Sequence, residues 1–146
     1  MSPVAEPRTR RRLYLDTSAY LCILLGDVGA ARLAKETTGA ELLSSVLLVL
    51  EARRNLIRLA REGTLTADQY TTCMDRVEQD VDLFVLRDLT LELCSSNLVP
   101  AVATPRSLDL AHLRTALWFH AAERIDRFVT LDGSQAQAAR ELGLPV

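Results

Sequence analysis

Aromatic residues make up only 5% of this 146-residue chain, so its core has to be built from Leu, Ala and Val. No apolar run approaches the roughly 20 residues that a membrane span requires. The basic stretch at the N-terminus lacks the apolar centre of a signal peptide. Cysteine is sparse: Cys22, Cys73 and Cys94 stand in apolar or helical settings, and no two have a C-x-x-C spacing. An odd count without metal spacing suggests reduced thiols and a cytoplasmic location. Neither G-x-G-x-x-G nor G-x-x-x-x-G-K-[ST] follows the first apolar run, which disfavours a nucleotide-binding module. A phosphohydrolase with an aspartyl nucleophile is disfavoured as well. Those families often carry D-x-D after the first strand, whereas Asp16-Thr17-Ser18 has serine in the second position. A basic excess is also missing: the net charge is −2 and the pI about 5.7. That composition speaks against nucleic-acid binding by bulk charge.

The chain does have the length and the 49% hydrophobic content of one folded domain. Residues 1–12 read as a basic extension carrying Arg8, Arg10, Arg11 and Arg12, either a solvated tail or an arm for phosphate. Residues 13–146 read as a single domain. Apolar runs at 13–15, 41–43, 82–86 and 128–130 predict strands, and 144–146 an edge strand. Helices are predicted between them, over 19–25, 28–38, 44–61, 66–80, 89–99, 107–122 and 134–142. Thr17 or Ser18, Ser44 or Ser45, and Ser107 are the expected helix caps. Thr66 with Gln69, and Ser134 with Gln137, have capping-box spacing. Pro100 and Pro105 interrupt the chain. The strands are continuous apolar runs rather than alternating ones. This predicts an α/β fold, a three-layer α/β/α sandwich around a short central parallel sheet.

In open α/β sheets, ligands bind beyond the carboxyl ends of the strands. Asp16 and Asp132 directly follow predicted strands. Asp109 falls in a first helical turn, where the helix dipole favours an anion. Glu51 lies in an apolar helical run, a place where glutamate is rarely buried without a partner. It therefore either faces a cleft or pairs with an arginine such as Arg54. Each acid alone has an ordinary explanation as a turn, cap or salt-bridge residue. Together they suggest a site for a hard divalent cation, because converged carboxylates repel unless a cation stands between them. Such a site activates water for in-line displacement at phosphorus.

The segments LYLDTSAYL, SSVLLVLEARRNL, SLDLAHLRTAL and RFVTLDGSQAQAARELGLPV, in this order, resemble the acidic motifs of PIN-domain ribonucleases, and among them the VapC-type toxins of bacterial toxin–antitoxin pairs. The resemblance runs from Leu13 to Val146. It implies a PIN-like fold and a Mg²⁺- or Mn²⁺-dependent endoribonuclease, often a homodimer, inhibited by a small antitoxin protein. Carried over, Asp16 and Asp109 are metal ligands, Glu51 and Asp132 complete the acidic site, and the Thr130 hydroxyl serves the attacking water. A solitary PIN-type nuclease in RNA processing and a non-catalytic PIN-like interaction domain stand as alternatives. The stretch before Leu13 departs from family members that begin almost at the first strand.

His112, one helical turn beyond Asp109, is either a second-layer group of the site or a packing residue. His120 reads as a surface or helix-end residue. Arg54, Arg58 and Arg61 form a stripe at helical spacing that suits solvent, RNA phosphate or a partner. Trp118 and Phe119 read as core or dimer-interface residues.

Overall fold

Continuous apolar strands demand cover on both faces, and the sheet is built that way. The computed structural model describes residues 10–95, 101–104 and 106–146. Within them β1 (Arg12–Leu15), β2 (Glu41–Ser45), β3 (Phe84–Arg87) and β4 (Arg127–Val129) form one all-parallel sheet in the order β3-β2-β1-β4. The helices are α1 (Thr17–Leu25), α2 (Ala30–Thr37), α3 (Leu47–Arg61), α4 (Ala67–Asp80), α5 (Leu91–Ser95), α6 (Ser107–Ala122) and α7 (Gly133–Glu141). They complete a three-layer α/β/α sandwich. No single helix among the described residues is long and apolar enough to cross a membrane.

Side chains alternate across the central strand, because successive residues of a strand point to opposite faces. Tyr14 packs with Leu43 and Phe128 against Leu113, Ala116 and Phe119 of α6 and Ala138 and Ala139 of α7. Leu13 and Leu15 face the other way, onto Ala19, Cys22 and Leu33 of α1 and α2. A third cluster joins α1, α3 and α4 through Tyr20, Leu48, Ala52, Leu56 and Val77. Three of the few aromatics meet in the first of these clusters. Tyr14 and Phe128 stack with ring centroids 5.3 Å apart, and Phe119 belongs to the same core. Trp118 is instead half-exposed, under the Arg87 guanidinium at 4.3 Å.

Several boundaries differ from the sequence expectation. β1 begins at Arg12, inside the stretch assigned to the extension. Arg12 is buried and its Nε lies 3.0 Å from Glu41 Oε2. Arg10 donates to the carbonyls of Gly39 and Ala40, and Arg11 stands 3.8 Å from Glu36. These arginines are therefore engaged by the fold itself; residues 1–9, with Arg8, lie outside the described residues. α2 starts at Ala30, since Gly29 takes the left-handed conformation (φ 91°). Val81–Leu83 close into a 3-10 turn, which delays β3 to Phe84. Of the helix predicted over 89–99, Leu91–Ser95 is seen, and 96–100 and Pro105 lie outside the described residues. No edge strand forms at 144–146. Pro145 accepts one bond from the Phe128 amide at 2.6 Å, and having no N–H it cannot return one.

Capping follows local chemistry. The Thr66–Gln69 box forms with both reciprocal bonds, at 3.1 and 2.9 Å. Ser107 does not cap α6; Arg106 occupies that position without a side-chain bond. Ser45 Oγ accepts the Leu47 amide at 3.1 Å, while Ser44, buried at the strand end, donates to the Leu15 carbonyl at 2.7 Å. His120, partly buried, accepts the Ile125 amide at 3.1 Å. Burial, helped by Arg124 and Arg12, holds its imidazole below the usual pKa, so it remains the neutral acceptor this bond requires.

The third cluster contains one polar anchor. The Tyr20 hydroxyl donates to Asp80 Oδ2 at 2.8 Å, and Arg76 Nε pairs with the other oxygen at 2.8 Å. Tyr20→Phe removes a donor from a buried carboxylate, and a group left short of a partner costs about 1–3 kcal/mol. Urea denaturation is expected to show that loss with an unchanged m-value.

Candidate active site

All four strands run parallel, so their carboxyl ends share one edge of the sheet. Asp16 leaves the end of β1, and Thr130 the end of β4. β1 and β4 are neighbours with Leu15 opposite Val129, so the two residues emerge side by side. α3 departs from the same edge after β2. α6, which runs back to the start of β4, begins there too.

Asp16 is the centre of the arrangement. It is 4% exposed. One carboxylate oxygen accepts Ser18 Oγ at 2.6 Å and the Ala19 amide at 3.1 Å, and the Thr130 hydroxyl donates to the other. Asp16 is thus the cap of α1, a role expected of Thr17 or Ser18. Burial raises its pKa above the usual aspartate value; bonds from Ser18, Thr130 and the Ala19 amide act in the opposite sense. No arginine or lysine forms an ion pair with it among the described residues.

Thr130 links Asp16 to Asp132, because its Oγ1 also accepts the Asp132 amide at 3.1 Å. Asp132 caps α7 through the amides of Ser134 and Gln135, at 2.9 and 3.1 Å. The predicted Ser134–Gln137 box is accordingly not what starts this helix. The second Asp132 oxygen lies 4.0 Å from Arg106.

Glu51 is not held by an arginine, one of the two arrangements expected for it. Its Oε1 lies 2.8 Å from His112 Nε2 and accepts the Thr17 hydroxyl at 3.0 Å. Arg54 is not its partner. Oε2 receives no hydrogen bond among the described residues. Asp109, in the first turn of α6, accepts the Thr104 hydroxyl at 2.9 Å. Its backbone carbonyl accepts Gln135 Nε2 at 3.0 Å. Gln135 is fully buried, and its Oε1 has no partner among the described residues.

The structure therefore brings Asp16, Thr130 and Asp132 into one hydrogen-bonded chain. Glu51 is tied beside it through Thr17, and Asp109 is joined to the Asp132 cap through Gln135. It does not draw three carboxylates around a single point: among the described residues, no three Asp, Glu, His or Cys side chains enclose a metal-sized position. Sequence reasoning assigned no site role to Gln135, Thr17, Thr104 or Tyr14. Nothing along the chain marked Gln135, which stands between Ser134 and Ala136.

An open groove of about 730 Å³ adjoins the site, lined among others by Ser18, Leu21, Asn55, Arg58, Leu131 and Asp132. Of the arginine stripe, Arg58 reaches this groove, while also pairing with Glu62 at 3.0 Å.

No family model matches the chain, and no curated protein matches it.

The donors present suit a hard cation. They are carboxylate and hydroxyl oxygens. Among the described residues, Asp16 is a buried carboxylate with no cationic partner, and Glu51 and Asp109 each keep one oxygen outside any hydrogen bond. A soft-metal site would need thiolates or several imidazoles, and Cys22, which lines the groove, gives its thiol to the Val28 carbonyl instead.

Proposed function

We propose that this chain is a Mg²⁺- or Mn²⁺-dependent endoribonuclease of the PIN-domain type, acting in the cytoplasm as the toxin of a toxin–antitoxin pair. One observation carries this reading: the buried Asp16 carboxylate lacks a cationic partner among the described residues, at the sheet edge where Glu51, Asp109, Thr130 and Asp132 also emerge. A carboxylate removed from water without a counter-charge is costly, and a divalent cation at that edge would relieve the cost.

Asp16, Asp109, Glu51 and Asp132 would hold the cation, which would have to draw them together, since without it no three of them enclose one position among the described residues. When bound, it supplies Lewis acidity toward a phosphodiester and acidifies a water molecule. The remaining work belongs to the chain. Thr130, fixed between Asp16 and the Asp132 amide, offers a hydroxyl to orient the attacking water. Asp132 remains rigid because two helix amides hold one of its oxygens. Arg58 and Asn55 line the groove along which an RNA strand would leave the site. The acidic balance of the whole chain is then no obstacle, since the cation supplies positive charge locally. The same reading includes a homodimer and a small antitoxin partner.

The test is direct. Purified protein incubated with RNA is expected to cut it when Mg²⁺ or Mn²⁺ is supplied, to stop on adding EDTA, and to resume on restoring metal. Expression without an antitoxin is expected to arrest growth. RNA left intact with either metal, together with normal growth, overturns the proposal and favours a non-catalytic interaction domain.

A further inference from the structure

Behind Glu51 lies a polar file that runs into the deepest part of the core. The Tyr14 hydroxyl is 2.8 Å from His112 Nδ1, and His112 Nε2 is 2.8 Å from Glu51 Oε1. Tyr14 is 0% exposed and His112 2%. Tyr14 sits in the middle of β1, stacked on Phe128 and edge-on to the imidazole. A phenylalanine would fill the same space without placing a hydroxyl in the core, so packing alone does not account for the oxygen.

The proton positions follow from the chemistry of the two ends. An ionised carboxylate only accepts hydrogen bonds, so the ring nitrogen facing Glu51 must carry a proton. In the neutral imidazole, Nδ1 is then the acceptor, and it needs a donor. Tyr14, whose oxygen lies 2.8 Å from Nδ1, is that donor, because an ordinary phenol keeps its proton at neutral pH. The hydroxyls of its neighbours Ser44 and Thr115 donate elsewhere, to the carbonyls of Leu15 and Ala111. The hydroxyl of Thr17, 3.2 Å from Nε2, donates to the same Glu51 oxygen. Both ends of the file thus select one tautomer.

We propose that Tyr14 is a positioning residue. Through His112 it fixes the Nε2–H tautomer, which grips Glu51 Oε1 and leaves Oε2 presented to the cation site. Metal-binding centres commonly depend on such outer partners to orient their ligands. This inference rests on the nuclease reading for the identity of the occupant, but the tautomer and the grip on Glu51 stand independently of it.

The experiment compares the wild type with Tyr14→Phe, which preserves the aromatic stack. Imidazole ¹⁵N chemical shifts report the tautomer, and Mn²⁺ titration by electron paramagnetic resonance reports affinity without reference to activity. Tyr14→Phe is expected to move His112 from a pure Nε2–H form to a mixture and to weaken Mn²⁺ binding about 10–100-fold. His112→Gln supplies an amide N–H that can reach Glu51 without help from Tyr14. Adding Tyr14→Phe to it is expected to change the affinity little further, and this non-additivity is the mark of a relay. Unchanged ¹⁵N shifts with an affinity within about twofold of the wild type overturn the inference, as do fully additive effects. A wild-type protein that takes up no Mn²⁺ overturns the nuclease reading instead, and the tautomer shift then decides the relay by itself.

Discussion

Asp16→Asn is expected to abolish metal-dependent RNA cleavage while leaving the metal-free protein at least as stable as the wild type at neutral pH. The loss of activity should exceed the roughly 10–100-fold typical of removing an outer partner of a metal, since this side chain would touch the cation. The stability expectation follows from its surroundings. Asp16 is buried, and burial raises its pKa above the usual 3.8. The folded state therefore holds the proton more tightly than the unfolded chain does. Below pH 3.8 both states are protonated and the carboxyl carries no electrostatic penalty. As the pH rises through 3.8 toward the raised folded value, the unfolded chain ionises first, and the folded protein loses stability by linkage. The penalty is therefore larger at neutral pH than near pH 4. Asparagine removes the charge and retains an oxygen for Ser18 and the Ala19 amide. Its amide group meets Thr130 Oγ1, which can accept. Thermal denaturation in EDTA should thus favour the variant more at pH 7 than near pH 4. A variant less stable than the wild type at pH 7 would contradict the picture of a buried, uncompensated carboxylate. A variant that still cuts RNA would remove Asp16 from the site.

Phe128→Ala should have the largest effect on folding. Phe128 is fully buried on β4, stacked on Tyr14 at an interplanar angle of 6°, and packed beneath α6 and α7. Removing a buried phenylalanine costs about 3–5 kcal/mol, from lost transfer energy and the cavity left behind. Domains of this kind are stable by only about 5–15 kcal/mol. The midpoint of chemical denaturation should fall sharply, with the m-value unchanged. A cost below about 1 kcal/mol would mean that the surrounding helices close over the gap. β4 would then contribute far less to the core than its burial indicates.

The strands were legible because their apolar runs are short, continuous and bounded by polar residues; β1, β2 and β4 lie within a residue or two of expectation. The helix caps were less legible, for a physical reason. Asp16 and Asp132 are acids at strand ends, and the same carboxylates also cap the following helices, so the neighbouring serines and threonines that looked like caps are displaced from that role. Boundaries at Gly29 and Val81–Leu83 turned on backbone geometry that apolar periodicity does not encode. In the site, the positions of Asp16, Asp132 and Thr130 follow from parallel topology alone. The partner of Glu51 does not. His112 is 61 residues away, and a search along one helix finds Arg54 first. Gln135 is hidden in the same way, since its bond to the Asp109 carbonyl crosses 26 residues.

The bond from Thr130 to Asp16 joins positions 114 apart in the chain, one on the first strand's end and one on the last's. Such a closure depends on order of arrival. During synthesis β1, β2 and β3 precede β4, so the position beside β1 is at first empty and a nascent chain at that stage lacks the Thr130 end of the site. Competence for chemistry would appear only when β4 inserts beside β1. If the chain acts as proposed, a polypeptide whose β4 has not yet inserted would be inert. An inhibitor present at that moment would meet the site as it forms.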